Sequence, residues 1–338
     1  MSKKKARVTL SQVAEHAGVS RATASLIVRN SPNIKDSTRD KVLASMEELG
    51  YVYDRVAANL RGQSSTTVGL IITDIANPFF AELLVGVHSR LEEEGYTVIL
   101  GTTFDSEDKQ KKLISTMMEH RVGGIILCPV SDSSSINMEK LKNWNLSIVT
   151  AVREIEGLPC DYVGINYLEG AKMAARHLID KGHKRIAFVG GNSESSAWKN
   201  RKKGFEQAHK EAGIEVIESL IVESSAERVG GVEAIERVMA EPDPPSAVFC
   251  FNDLVAFGAI EALRNAGYEP GKDIAVVGFD NVEASATLSY PPLTTISSHA
   301  KEIGSKAADL LHHRIQNKGE EENQRIILPP DLVIRAST

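Results

Sequence analysis

Apolar positions between Val8 and Asn30 recur with helical spacing. Leu10, Val13, Ala14 and Ala17 fall at i, i+3, i+4 and i+7, one face of a short helix. Gly18-Val19 interrupts the pattern, and glycine can take the positive φ that a sharp turn needs. Ser20 then stands where a hydroxyl can accept from the free N–H groups opening a second helix. On that helix Ala24, Ile27 and Val28 cluster within roughly 100° as the inward face. Ala22, Leu26 and Arg29 lie opposite, flanked by Arg21 and Ser25. Two short helices joined by a glycine turn predict a helix-turn-helix whose second helix enters the DNA major groove. A third helix, Ser37 to Leu49, with Val42, Met46 and Leu49 inward and Gly50 as its stop, closes a small three-helix unit. Such a core is only marginally stable alone.

Asp54 to Gly62 has length for two helical turns, too few to hold in water unaided, and a polar stretch follows through Thr67. Leu60 on that helix suits either a wedge into a minor groove or packing on the body of the protein. From Val68 onward short apolar runs alternate with amphipathic helical patterns. Strands are predicted at Val68 to Ile72, Val98 to Gly101, Gly124 to Cys128 and Ser147 to Ala151, separated by helices near Pro78 to Glu94, Asp105 to His120 and Met138 to Asn143. A second series places strands near Arg185 to Gly190, Val216 to Ile221, Ala247 to Cys250 and Ile274 to Phe279. Strand–helix alternation implies parallel sheets covered on both faces, so the predicted fold is an N-terminal all-α helix-turn-helix domain followed by a two-lobed α/β core.

Charge sharpens this division. The net charge of −6 is uneven: residues 1–62 carry 11 Lys and Arg against 6 Asp and Glu, and residues 63–338 carry 28 against 39. A basic N-terminal module on an acidic body confines phosphate contact to the N-terminus. Cys128, Cys160 and Cys250 are far apart without metal-ligand spacing, as in a reduced cytoplasmic protein, and no metal or cofactor is expected. No apolar run follows the initial lysines as in a signal peptide, and none reaches membrane-spanning length. Gly190-Gly191-Asn192-Ser193 lacks the spacing of a dinucleotide loop, and no Walker pattern occurs, which argues against an enzyme.

In parallel sheets ligands bind beyond the carboxyl ends of strands. The polar residues there are Asp74, Asp105, Arg153, Asn252-Asp253 and Asp280-Asn281, with Phe79-Phe80 nearby. Carboxylates and arginines facing a cleft beside aromatic rings suit a small polyhydroxylated ligand. Taken singly, Asp74 and Asp280 equally suit turns or caps, and the two phenylalanines suit the core.

Nine stretches resemble the lactose/galactose repressor family of bacterial transcription regulators, in the family's order from Val8 to the last residue: VTLSQVAEHAGVS, ELGY, RVAANLRG, VGLIITDIANPFFAELLVGV, GHKRIAFVGG, FNDLVAFGAIEALRNAG, DIAVVGFDN, YPPLTTI and LPPDLVIRAST. The resemblance implies a DNA-binding domain over 1–53, a hinge helix and linker over 54–67, and a periplasmic-binding-protein-like core over 68–338. Its N-lobe would span about 68–164 and 294–325 and its C-lobe about 165–293 and 326–338, with crossings near residues 164, 293 and 325. DNA contacts are expected from Thr9, Ser20, Arg21, Ala22, Thr23, Ser25, Leu26 and Arg29, with Ala57 and Leu60 meeting the minor groove. Effector contacts are expected from Asp74, Phe79, Phe80, Arg153, Arg201, Asn252 and Asp280, Arg201 being carried by an R-x-x-G pattern ending at Gly204.

Four departures stand out: Tyr53-Asp54 for the usual Pro-Asn, Leu26 for a frequent base-reading arginine, Lys199 for a companion arginine, and Glu223-Ser224-Ser225 where an aromatic residue often lines the site. The chain ends just after its last strand without a heptad segment. The expected partners are therefore a second copy, a roughly palindromic double-stranded operator and a small effector, a carbohydrate by resemblance. A solute receptor without a DNA role is the alternative.

Overall fold

The computed structural model describes residues 8–28, 31–52, 65–131, 144, 146–155, 157–317 and 322–338. They belong to two compact units, Met1–Gln63 and Ser64–Thr338. Arg29, Tyr53-Asp54, Ala57, Leu60 and the helix expected over Met138 to Asn143 lie outside the described residues.

The first unit holds α1 (Leu10–His16), α2 (Arg21–Val28) and α3 (Asp36–Leu49). Thr9 starts α1 with a reciprocal cap: its hydroxyl accepts from the Gln12 N–H, and the Gln12 amide oxygen accepts from the Thr9 N–H at 2.8 Å. Gly18 turns the chain at φ +68. The Ser20 hydroxyl accepts from the Thr23 N–H at 3.0 Å, as the sequence predicts. Val13, Ala14, Ala24, Ile27 and Val42 form the core, with Leu10, Met46 and Leu49 packed around it. The third helix begins one residue before its predicted start and ends on left-handed Gly50.

The second unit contains two six-stranded sheets. The first is built from β1 (Thr67–Ile72), β2 (Thr97–Thr102), β3 (Gly124–Leu127), β4 (Ser147–Ala151), β5 (Asp161–Ile165) and β11 (Arg325–Leu328), all parallel. The second is built from β6 (Ile186–Val189), β7 (Ile221–Val222), β8 (Ala247–Cys250), β9 (Ala275–Asp280), β10 (Thr294–Ser297) and β12 (Asp331–Val333), with only β12 antiparallel. Read from the β2 or β7 edge, each sheet runs 2-1-3-4-5 plus one late strand, a doubly wound order with a ligand crevice where the strand order reverses.

Helices cover both sheets. In the first lobe these are α4 (Pro78–Glu93), α5 (Glu107–Glu119) and α11 (Ala300–Gln316); in the second, α6 (Tyr167–Asp180), α7 (Ser196–Ala212), α8 (Arg228–Met239), α9 (Asp253–Asn265) and the short α10 (Glu283–Thr287). The inner strands are buried nearly throughout, as parallel strands covered on both faces must be, while the edge strands β2, β11 and β12 are largely half-buried or exposed.

Two expected crossings move. β10 pairs with β9, so residues 294–297 belong to the second lobe, and the chain crosses back between Ser297 and Ala300 rather than at 293. β11 pairs with β5, so residues 325–328 belong to the first lobe, and the last crossing falls at Pro329-Pro330 rather than at 325. Hydrogen bonding decides both, because neither strand's apolar pattern says which sheet it joins. The strand predicted at Val216 to Ile221 is a 3-10 turn (Glu218–Leu220) followed by two strand residues.

One buried ion pair ties the return segment down. Arg314 on α11 holds Asp161 at the start of β5 with two hydrogen bonds of 2.8 Å, and Asp161 also accepts from the Gln324 N–H. Close packing of α4 on α11 requires glycine at 86, where an added Cβ would lie 2.0 Å from the Lys301 carbonyl oxygen. Gly86→Ala should therefore cost about 1–3 kcal/mol through overpacking. An unchanged urea midpoint for the full chain would show that the pair has room.

Candidate functional site

All seven residues expected to meet the effector line one cavity between the two lobes, about 320 Å³ in volume. Its walls come from the carboxyl ends of strands in both sheets: Asp74 after β1, Phe104 and Asp105 after β2, Arg153 after β4, Ser224 after β7, Asn252 after β8 and Asp280 ending β9. Asn77 caps α4 by accepting from the Phe79 N–H at 3.0 Å, with Pro78 at the first helical position, and so delivers Phe79 and Phe80 to the rim. Their rings meet edge to face at 5.1 Å.

Arg201 is the most buried charged residue of the cavity lining, only 4% exposed. Its guanidinium carbon sits 4.5 Å from the Tyr167 and Phe251 ring centres and 4.0 Å from Phe279. Three rings thus stabilise a cation that has lost its water. The R-x-x-G spacing explains the placement: a Cβ on Gly204 would lie 2.1 Å from the Leu168 carbonyl oxygen, so glycine lets α7 press on α6. That contact puts Arg201, one turn earlier, against Tyr167 at the start of α6. Nη2 of Arg201 faces Asp280 Oδ1 at 3.9 Å. Burial pushes the Asp280 carboxyl well above its ordinary value, against the pull of Arg201. Arg201 Nε and the Ser224 hydroxyl are buried polar atoms of this wall with no hydrogen-bond partner among the described residues.

The other expected contacts are partly engaged within the protein. Asp74 accepts from the Ala76 N–H. Asn252 caps α9 through the Val255 N–H and donates to the Ala226 carbonyl, both at 2.9 Å. Arg153 donates to Asp105. Lys199 is exposed and does not line the cavity, and Ser224-Ser225 contribute no ring to it. Sequence reasoning did not single out Tyr167 and Phe251, or Phe104, which stands 59% exposed at φ +48 with the Lys109 ammonium 4.8 Å from its ring centre.

Asp253 is buried beside this wall and accepts from the Val282 N–H (3.0 Å) and from the Ser285 and Thr295 hydroxyls (both 2.6 Å). Burial still outweighs these donors and pushes its pKa up to about 6.

In the first unit the outward face of α2 carries exposed Arg21, Ala22 and Leu26, the last 44% exposed, with Ser25 half-buried. The hydroxyls of Thr9, Ser20 and Thr23 are engaged in helix caps. Among the described residues no three His, Cys, Asp or Glu side chains could hold a metal, and no helix is long and apolar enough to cross a membrane.

A two-lobed small-molecule receptor preceded by a helix-turn-helix defines a class, the ligand-responsive transcription regulators. The profile described as bacterial regulatory proteins, lacI family, matches residues 9–54, and that of periplasmic binding proteins and the sugar binding domain of the LacI family matches residues 65–336. The chain belongs to the LacI family. It is 35% identical over 338 residues to the HTH-type transcriptional regulator DegA of Bacillus subtilis, covering 98% of each chain. It is likewise 35% identical to the HTH-type transcriptional repressor PurR of Photobacterium profundum, covering 97% of this chain and 98% of that one. The structure of the Lac repressor dimer bound to operator and the anti-inducer ONPF matches with a TM-score of 0.82 at 27% identity, over 98% of this chain and 99% of that one.

Because the Asp253 pKa is raised in the fold, its protonated form favours folding. That contribution is complete below the ordinary aspartate pKa and lost as pH rises through about 6. Between pH 4 and 7 the unfolding free energy of the wild type should fall by on the order of 3 kcal/mol relative to Asp253→Asn. Parallel pH profiles for the two proteins would contradict this.

Proposed function

We propose that the chain is a homodimeric repressor that reads a roughly palindromic operator and changes its operator affinity when a carbohydrate binds between the lobes. The observation that carries the reading is the convergence of Asp74, Phe79, Phe80, Arg153, Arg201, Asn252 and Asp280 on one cavity. Rings supply an apolar wall, while Arg201 Nε and Ser224 Oγ supply open hydrogen-bonding positions, the pairing a sugar presents in reverse. The family profile over the core names a sugar binding domain, and the Lac repressor relative is a dimer on its operator. A solute receptor with no DNA role is disfavoured by the family match over residues 9–54. The protein works in the cytoplasm as a binding protein, not as an enzyme.

On the DNA side, α2 lies in the major groove with Leu26 presenting an apolar tip suited to a thymine methyl, and Arg21 reaching guanine or phosphate. Thr9, Ser20, Ala22, Thr23, Ser25 and Arg29 complete the half-site contact, and Ala57 and Leu60 enter the minor groove. Phosphate contacts make the binding steeply salt-dependent.

Two variants separate the halves of this reading. Leu26→Arg should change the base pairs recovered in a randomised-operator selection, because a guanidinium prefers guanine edges by about 1–3 kcal/mol. An unchanged recovered sequence would mean that α2 sits differently in the groove. Arg201→Gln should raise the Kd of whichever sugar stabilises the wild type in a thermal-shift screen by roughly tenfold to a hundredfold. Its operator affinity without ligand should stay within a few-fold of the wild type, and equal sugar binding by both proteins would place the ligand elsewhere.

A further inference from the structure

Four non-glycine residues of the cavity lining hold left-handed backbone: Phe104 at φ +48, Asp105 at φ +54, Val152 at φ +70 and Asp280 at φ +121. Val152 is the extreme case, since a β-branched side chain is rarely found there. It centres a tight turn in which the Arg153 N–H donates to the Ala151 carbonyl at 2.7 Å. Such conformations persist where surrounding contacts demand them.

The strained loops at Asp105 and Val152 meet at a single contact. Asp105 Oδ1 accepts from Arg153 Nη1 at 2.5 Å and from the Ser131 N–H at 3.1 Å, and Asp105 Oδ2 accepts from the Ser131 hydroxyl at 2.8 Å. Arg153 Nη1 also donates to the Pro129 carbonyl at 3.2 Å. A guanidinium, a backbone N–H and a hydroxyl converging on one point form the donor set that proteins use for a carboxylate or phosphate. Here the protein's own carboxylate occupies it.

We propose that Asp105 is a built-in anion that fills the subsite made by Arg153 and Ser131 and thereby restricts the effector to uncharged polyhydroxylated molecules. Sugar phosphates and sugar acids are excluded. The inference rests on the reading of the cavity as the effector site. The charges around the cavity agree with it. Arg153 is taken by Asp105, and Arg201, the other lining cation, faces Asp280. The remaining charged residues of the lining, Asp74 and Glu227, are both acidic. An incoming anion would have to expel Asp105 or lie against carboxylates, which costs Coulomb energy either way. A neutral sugar can use the open Arg201 Nε and Ser224 Oγ without bringing a charge out of water.

Inorganic phosphate titrated calorimetrically into the full chain tests the proposal. The wild type should show no saturable binding. Asp105→Asn, which keeps the side-chain shape but drops the charge, should gain phosphate affinity by roughly tenfold or more over the wild type. Adding Arg153→Gln should remove the gain. Asp105→Ser repeats the experiment should the asparagine variant fold poorly by circular dichroism. Phosphate binding by the wild type that disappears with Arg153→Gln would overturn the proposal, as would folded 105 variants that bind no phosphate. A thermal-shift panel of uncharged mono- and disaccharides on the wild type separates this inference from its premise. A phosphate gain in the variants with no stabilising sugar would leave Asp105 as the occupant of an anion subsite and overturn the sugar-site reading.

Discussion

Taking a guanidinium out of water costs several kcal/mol unless other groups replace the solvent, and the placement of Arg201 at 4% exposure makes that constraint central to the second lobe. Three aromatic rings and the Asp280 carboxyl group replace the water. They come from three places in the fold: Tyr167 opens α6, Phe251 follows β8, and Phe279 and Asp280 are the last two residues of β9. The close approach of α7 to α6 at Gly204 and the left-handed backbone at Asp280 both serve this arrangement. Among the described residues, Arg201 Nε and the Ser224 hydroxyl have no hydrogen-bond partner, which leaves them open on the cavity wall.

A ligand in this cavity, which Arg201 and Ser224 line from one lobe and Phe79, Phe80 and Phe104 from the other, would bridge both lobes. Binding therefore favours whichever lobe arrangement brings those walls to the right separation, and a ligand shifts an equilibrium only by its difference in affinity for the two states. The lobes are joined by three short crossings, so such a change can be a rigid movement of two sheets rather than a rearrangement inside either. The larger apolar core cluster already runs through both lobes, from Val68 and Leu83 to Phe188 and Phe249, which limits the movement to arrangements that keep it packed.

Much of this was legible in the residues. The helical period placed α1 to α3 within a residue or two, and the outward leucine on α2 is exposed as the wheel predicts. The seven effector positions share one cavity because doubly wound sheets bring the ends of their strands together. Two of the three crossings fall elsewhere than expected, because LPPDLVI is one apolar run split between two sheets and the periodicity of residues 294–297 does not encode their partner strand. The left-handed residues Phe104, Asp105 and Val152 gave no warning, since glycine is the usual marker of such backbone and these positions are imposed by tertiary contacts. Tyr167 and Phe251 carry no sequence signal that separates them from ordinary core residues, and they are core residues; the buried cation between them shows that they also shape the cavity.

Allosteric control couples the cavity to the operator, and coupling between two binding sites is reciprocal. Operator affinity measured by fluorescence anisotropy with and without a saturating, cavity-dependent sugar gives one factor. The affinity of the same sugar with and without saturating operator gives another. The two factors should be equal and differ from one by about fivefold or more. A sugar that binds through Arg201 yet leaves operator affinity unchanged would contradict the account.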